Sequence, residues 1–273
     1  MMGNLKGKTA VITGGAGVLG TALSKALAQN GANVAILGRD FEKANRLADD
    51  INADGGSAIG ISADVCSKES LQSAHKTINE KFGKIDILVN GAGGNHPGGI
   101  SLDSQFDANS ERSFFDLEES GIRHVFDLNF MGTLLPTQVF AKDMISRENC
   151  NIVNISSVSA MKPLTKVAAY SAAKAAISNF TQWLAVYFSK ENIRVNAIVP
   201  GFFLTEQNRN LLTNPDGTFT DRGKKAIAQT PMQKFGEPEN LVSTLLWLLD
   251  EQSNFITGIT VPVDGGFTAF HGV

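Results

Sequence analysis

Tyr170 and Lys174 stand four residues apart in Tyr170-Ser171-Ala172-Ala173-Lys174, at the start of a stretch with helical character. That spacing puts both side chains on one helix face, a turn apart. The pair suits proton transfer. A free tyrosine titrates near pH ~10, too high for efficient transfer at neutral pH, and a neighbouring ammonium stabilises the phenolate and lowers that value. A tyrosine and a lysine so spaced occur in many helices, and the upstream context is what gives them meaning. Ser157 lies thirteen residues before Tyr170, just past the apolar run Ile152-Val153-Asn154-Ile155. A hydroxyl there can hydrogen-bond a substrate oxygen from a preorganised position. Asn129, in Asp127-Leu128-Asn129-Phe130, is a polar residue in an otherwise apolar helical stretch. The chemistry these types support is protonation of a nascent alkoxide, or removal of a proton from an alcohol, beside a hydride carrier.

A carrier site is legible near the amino terminus. Thr13-Gly14-Gly15-Ala16-Gly17-Val18-Leu19-Gly20 joins an apolar strand to a helix, an arrangement that lets backbone amides meet a pyrophosphate at the helix's positive end. Gly14, Gly15, Gly17, Val18, Leu19 and Gly20 are therefore candidate cofactor-binding residues. The second strand ends Leu37-Gly38-Arg39-Asp40. Gly38 stands where a carboxylate for the ribose diol is expected, and Arg39 can accommodate a 2′-phosphate. NADP(H) is thus favoured over NAD(H), with Asp40 as the residue that would speak for NAD.

These residues need a scaffold, and the chain supplies it as alternating strands and helices. Strands are expected at 9–13, 33–37, 58–61, 85–89, 151–156, 194–199 and 259–263. Helices are expected to follow the first strand to about Asn30 and to span 41–53, 68–82, 122–146, 168–190 and 239–249. Continuous apolar strands without alternation indicate burial on both faces, hence a parallel sheet. The expected fold is α/β: one single-domain Rossmann-type doubly wound parallel sheet of seven strands, spanning residues 1–273, with helices on both faces. Segments 91–120 and 202–230 resist assignment. Both follow strand carboxyl ends, where ligands of open α/β sheets bind, and long irregular loops are commonly functional, so they are expected to form a substrate rim.

Composition narrows the class further. Of the 273 residues, 42% are hydrophobic, enough for a sizeable core, and the formal net charge of −3 offers no basic footprint for nucleic acid or an anionic membrane. Two cysteines, Cys66 and Cys150, form no pairing or zinc motif, so no disulfide or metal site is expected. No run of ~18 apolar residues exists, and Met1–Lys8 lacks the apolar core of a secretory signal. A cytoplasmic location is expected.

Taken in order, these motifs resemble the short-chain dehydrogenase/reductase family over essentially the whole chain. Matching stretches are the glycine loop, Asp64-Val65, Asn90-Gly91-Ala92-Gly93, Asn129, Ser157, Tyr170 with Lys174, Pro200-Gly201, Thr205 and Val263-Asp264-Gly265-Gly266. The resemblance implies a catalytic tetrad of Asn129, Ser157, Tyr170 and Lys174, with Asn129 holding a water in a relay to Lys174. It implies that Asp64 and Val65 contact adenine, that Asn90 and Ala92 line the cofactor channel, that Pro200 and Gly201 belong to the cofactor site, and that Thr205 meets the carboxamide. It further implies a homotetramer built on helices beginning near Ile122 and Ala168. Two positions depart from the family pattern: its glycine at the Val18 position is displaced to Gly17, and its usual Asn-Asn-Ala-Gly reads Asn90-Gly91-Ala92-Gly93.

Within the family, Asn90–Pro97, the glycine loop and the ending Asp264–Phe270 are similar to the D-mannonate oxidoreductase (fructuronate reductase) subgroup. That similarity implies a polyhydroxy keto-acid or alcohol substrate, interconverting D-fructuronate and D-mannonate. Gly94, Asn95 and His96 are the candidate substrate residues; His96, Lys162 and Arg209 are candidate partners for a carboxylate. Other sugar acids, polyols and 3-oxoacyl groups stay open as substrates, although an acidic chain suits an acyl carrier poorly. A catalytically silent nucleotide sensor is the non-enzyme alternative, and the presence of all four tetrad residues counts against it.

Overall fold

The strands form because short apolar runs are long enough to be buried on both faces and too short for helices. The computed structural model describes residues 4–204 and 209–272. In chain order the elements are β1 (Thr9–Thr13), α1 (Val18–Gln29), β2 (Asn33–Gly38), α2 (Phe41–Ala53), β3 (Ser57–Ser62), α3 (Lys68–Phe82), β4 (Ile87–Asn90), α4 (Glu119–Phe126), α5 (Gly132–Phe140), β5 (Cys150–Ile155), α6 (Ala168–Tyr187), β6 (Ile193–Pro200), α7 (Arg209–Leu212), α8 (Asp221–Ala228), α9 (Val242–Leu249) and β7 (Thr260–Val263). The strands make one parallel sheet in the order β3-β2-β1-β4-β5-β6-β7. Strand order reverses between β1 and β4, the switch point at which a crevice opens at the strand carboxyl ends. The register sets Thr13, Asn90 and Asn154 level across β1, β4 and β5, so all three strands end together at that crevice.

Successive strand residues feed opposite cores. Ile12 joins Leu23, Leu27, Ile36, Leu245 and Leu248 under α1 and α9, whereas Val11 joins Leu71, Ile78, Phe140 and Leu184 under α3, α5 and α6. A buried leucine such as Leu27 contributes on the order of 2–5 kcal/mol against alanine, which keeps the crevice walls rigid. Two caps fix helix entries near the site: Asp40 accepts from Lys43 N at 3.0 Å at the start of α2, and Ser67 accepts from Ser70 N at 3.1 Å at the start of α3. No helix among the described residues is long and apolar enough to cross a membrane.

Several expected boundaries move. The single helix expected over 122–146 is α4, a π-helical turn over Asp127–Met131, α5 and a 3-10 turn over Ala141–Met144. The segment 91–120 holds 3-10 turns at Pro97–Gly99 and Phe114–Asp116 before α4 begins, and 202–230 contains α7 and α8. The fourth strand starts at Ile87, just after Asp86, whose carboxylate accepts from Thr9 N and Arg147. The last helix enters through a 3-10 turn at Pro238–Leu241.

Candidate active site

β5 ends at Ile155, and Ser157 immediately caps a 3-10 turn over Val158–Ala160, its Oγ accepting from Ser159 N at 3.2 Å. The chain then returns as α6, with Tyr170 and Lys174 in its first two turns. Lys174 is 4% exposed, and its Nζ donates to Ile155 O at 2.9 Å and lies 5.6 Å from the Tyr170 ring centroid. Ser156 Oγ donates to Lys174 O at 3.0 Å, which ties the helix to the strand end. Burial without a carboxylate partner lowers Lys174 to about 8.

Tyr170 behaves differently from the sequence expectation. Enclosure of its hydroxyl pushes its pKa above the usual tyrosine value, opposed by the hydrogen bond with Ser157. In the free protein the desolvation of a phenolate outweighs the Ser157 hydrogen bond. The resting phenol is protonated, a donor ready for an incoming carbonyl oxygen.

Asn129 sits in the π turn and is 0% exposed. Its Nδ2 donates to Val125 O and to Gly94 O, both at 2.7 Å, while its Oδ1 accepts from Gly94 N at 3.2 Å. The side chain therefore clamps the loop after β4 from both sides. π turns recur at functional sites because they rotate one residue off the regular helical face. A Cβ on Gly93 would meet Asn129 Oδ1 at 2.7 Å and Lys174 Nζ at 3.1 Å, so a glycine there keeps the space between them open.

Two adjoining cavities run along the crevice and share Gly14, Ala92 and Gly93. One, of about 380 Å³, lies against Arg39, Asp64, Val65 and Cys66. The other, of about 400 Å³, runs from Gly17, Val18, Leu19 and Gly20 past Ser157, Tyr170 and Lys174 to Pro200 and Gly201. Such an elongated cleft fits a dinucleotide. Gly17 caps α1 with no side-chain hydrogen bond, so the first-turn amides present positive dipole to the cavity. A Cβ at Gly20 would come within 2.2 Å of Gly14 O, which is why the loop can fold tightly over the helix start. The buried ammonium of Lys174, with Ile155 O as its hydrogen-bond partner among the described residues, has further donors to offer a ligand hydroxyl.

Not every expected residue lines the cleft. Gly15 is buried on Ile12 and Ile36, where a Cβ would stand 2.7 Å from Ile12 Cγ2; its smallness serves packing. Asn90 is 1% exposed and turns inward, donating to Thr137 Oγ1 at 3.1 Å and Asn154 Oδ1 at 2.9 Å. Its side chain braces the sheet, and Ala92 alone of that expected pair faces the channel. Asp40 caps α2. Thr205 lies outside the described residues. On the substrate side Gly94 lines the catalytic cavity, but Asn95 Oδ1 accepts from His96 N at 3.0 Å and His96 Nδ1 accepts from Gly98 N at 3.0 Å. Lys162 is engaged with backbone carbonyls of Phe267 and Phe270, and Arg209 is exposed at the start of α7.

The cleft also contains residues that sequence reasoning missed: Phe203 beside Pro200-Gly201, and Cys66, His124, Asp127 and Leu128 around the outer cavity. His124 and Leu128 are four apart on the segment carrying Asn129, a spacing that places them on one face. The His124 ring stands 5.0 Å from that of His96, so the outer cavity touches the loop after β4.

A doubly wound parallel sheet with a dinucleotide cleft and a tyrosine–lysine pair at its end defines a nicotinamide-dependent oxidoreductase. The chain belongs to the short chain dehydrogenase family, which it matches over residues 8–216, and is accordingly an NAD(P)-dependent oxidoreductase acting on CH–OH groups. It is 54% identical over 272 residues to UxuB of Bacillus subtilis, an uncharacterized oxidoreductase, with 99% of this chain and 98% of that protein covered. A crystal structure from Haemophilus influenza with bound NAD, described as a candidate D-mannonate oxidoreductase, superposes with a TM-score of 0.95 at 52% identity, covering 99% of this chain and 98% of that one. A gluconate 5-dehydrogenase from Burkholderia cenocepacia, in complex with NADP and tartrate, superposes with a TM-score of 0.84 at 30% identity, covering 98% and 97%.

Proposed function

We propose that this enzyme interconverts D-mannonate and D-fructuronate, with Tyr170 as the proton donor and acceptor at the reacting oxygen. The observation that carries the reaction is the convergence of Ser157, Tyr170 and a buried Lys174 on one cavity wall. The substrate rests on near full-length similarity to the Haemophilus protein described as acting on D-mannonate. Other sugar acids are the second reading, supported by the likeness to a gluconate 5-dehydrogenase.

In the reducing direction, Ser157 Oγ and the Tyr170 phenol donate hydrogen bonds to the carbonyl oxygen. As negative charge grows on that oxygen, the Tyr170 proton moves to it. Lys174 stabilises the phenolate left behind and returns a proton to it, while Asn129, bonded to Gly94, holds the loop beside Lys174 in place. When bound, the nicotinamide supplies the hydride, or accepts it in the other direction. In oxidation the proton runs from the alcohol to Tyr170. Gly14, Gly17, Val18, Leu19 and Gly20 hold the pyrophosphate, while Asp64, Val65 and Ala92 border the adenosine and Pro200 and Gly201 the nicotinamide end. Gly94, Asn95 and His96, with the rim segments 91–120 and 202–230, form the substrate side.

Arg39 on the wall of the outer cavity supports a preference for NADP(H): Gly38 puts no carboxylate at the end of β2, and Asp40 caps α2. A homotetramer is supported by the exposed pair Trp183 and Tyr187 on α6, stacked at 4.7 Å, with the half-buried Phe180 beside Trp183. The free thiols Cys66 and Cys150 suit the cytoplasm. Oxidation of NADH and NADPH by purified protein, with D-fructuronate and a panel of keto acids, tests the reading. D-fructuronate is expected to give the highest kcat/KM; a simple aliphatic or acyl ketone turned over far better overturns it.

A further inference from the structure

From the tie between Lys162 and the C-terminal segment we infer that Lys162 is a positioning residue. It latches residues 264–270 against the Ser157 turn and the end of β6, at the edge of the catalytic cavity, and so sets substrate affinity. The turn that Ser157 caps continues directly into Lys162, whose backbone N donates to Val158 O at 2.8 Å. Its ammonium reaches away from that turn, donating to Phe267 O at 3.2 Å and to Phe270 O, and lies 5.3 Å from the Phe267 ring centroid.

Phe267 is the anchor on the other side. It is 6% exposed and packs on Val158 and Val199, with Phe202 edge-on at 5.1 Å. Val158 belongs to the Ser157 turn and Val199 to the end of β6, and Phe202 stands between Gly201 and Phe203, both of which line the catalytic cavity. The near end of the segment is equally fixed. The Asp264 carboxylate accepts from Gly266 N at 2.9 Å and from Thr268 N at 2.8 Å, and a Cβ on Gly201 would stand 2.7 Å from Asp264 Cα. One short segment thus braces both walls between which Tyr170 works, and Lys162 closes its far end. Amphipathic lysines serve this way, with an apolar stem against the core and donors for carbonyls that would otherwise lack partners. The phosphate loop and Arg39 follow β1 and β2, whereas the segment's anchors are the Ser157 turn, the end of β6 and Phe202. The inference goes beyond the proposed substrate; the latch does not depend on it, and the KM readout rests on it.

Two measurements on the intact protein test it. Hydrogen exchange of residues 264–270 should be at least tenfold faster in Lys162→Met than in wild type, and near wild type in Lys162→Arg, which can donate to both carbonyls. Unchanged exchange in Lys162→Met overturns the latch, whichever carbonyl compound the enzyme reduces. In steady-state reduction of D-fructuronate, Lys162→Met should raise KM at least fivefold, with kcat and the cofactor Kd within twofold, and Lys162→Arg should restore KM. Phe267→Leu should raise KM similarly, and the double variant should be no worse than the poorer single one. Multiplying effects would mean that Lys162 meets the substrate independently of the segment, and a matching loss of cofactor affinity would mean general loosening; either result overturns the proposal.

Discussion

Asn129 Oδ1 and Lys174 Nζ converge on one point in the cavity wall, the place a Cβ on Gly93 would occupy, 2.7 Å from the first and 3.1 Å from the second. Gly93→Ala would push both groups, and because misplacement by about 1 Å can cost ~100-fold, kcat/KM should fall by about that factor while the far-ultraviolet circular dichroism stays native. Kinetics within threefold of wild type would show that the two side chains need no shared space.

Lys174 makes the free enzyme's stability depend on pH. Its pKa falls from 10.5 unfolded to about 8 folded, so between those values the unfolded chain binds the extra proton and stability rises with pH. Below pH 8 the buried charge is a cost, on the order of 3 kcal/mol. Lys174→Met should therefore abolish turnover yet leave Tm at pH 7 equal to or a few degrees above wild type, with the gap closing toward pH 10. A clear drop in Tm at pH 7 would show that the Ile155 carbonyl bond outweighs desolvation. Thermal scans across that range decide it.

Arg39 is the residue on which cofactor preference turns. If its guanidinium meets a 2′-phosphate, Arg39→Ala should weaken NADPH by about tenfold or more, as expected for one charge-assisted hydrogen bond, and leave NADH within twofold. Fluorescence titration with both cofactors reads this directly. Equal losses would assign Arg39 to a contact common to both.

Beneath the site, Asn154 joins β5 to its neighbours, accepting from Asn90 Nδ2 at 2.9 Å and donating to Thr181 Oγ1 at 2.9 Å. Asn154→Val leaves those polar groups buried with fewer partners, so urea unfolding should show a loss of about 1–3 kcal/mol. An unchanged midpoint would show that the network contributes nothing net.

These contrasts show what the residues themselves disclosed. Tyr170 and Lys174 were readable because a four-residue spacing has one meaning on a helix, and the glycine loop because it sits between a buried strand and a helix. The five inner strands were readable because burial on both faces leaves an unbroken apolar run, and the half-buried edge strands β3 and β7 from the alternation of strands and helices. The π turn at Asn129 was not, since one extra residue in a helical turn leaves no mark in hydrophobic spacing. The inward turn of Asn90 is not legible either, because an asparagine ending a buried strand can face the crevice or the core, and only its partners Thr137 and Asn154, 47 and 64 residues away, decide which. Lys162 is a candidate carboxylate partner in the sequence because nothing local reveals that it reaches carbonyls more than a hundred residues downstream.

Tyr170→Phe tests the central claim most directly. The substitution removes one oxygen from an otherwise intact wall, so single-turnover reduction of D-fructuronate with prebound NADPH or NADH isolates the proton transfer. The chemical step should slow by ~100-fold or more, as expected for loss of a positioned general acid, with cofactor Kd within about threefold of wild type. A variant that still reduces substrate within tenfold of the wild-type rate would contradict a proton-transfer role for Tyr170.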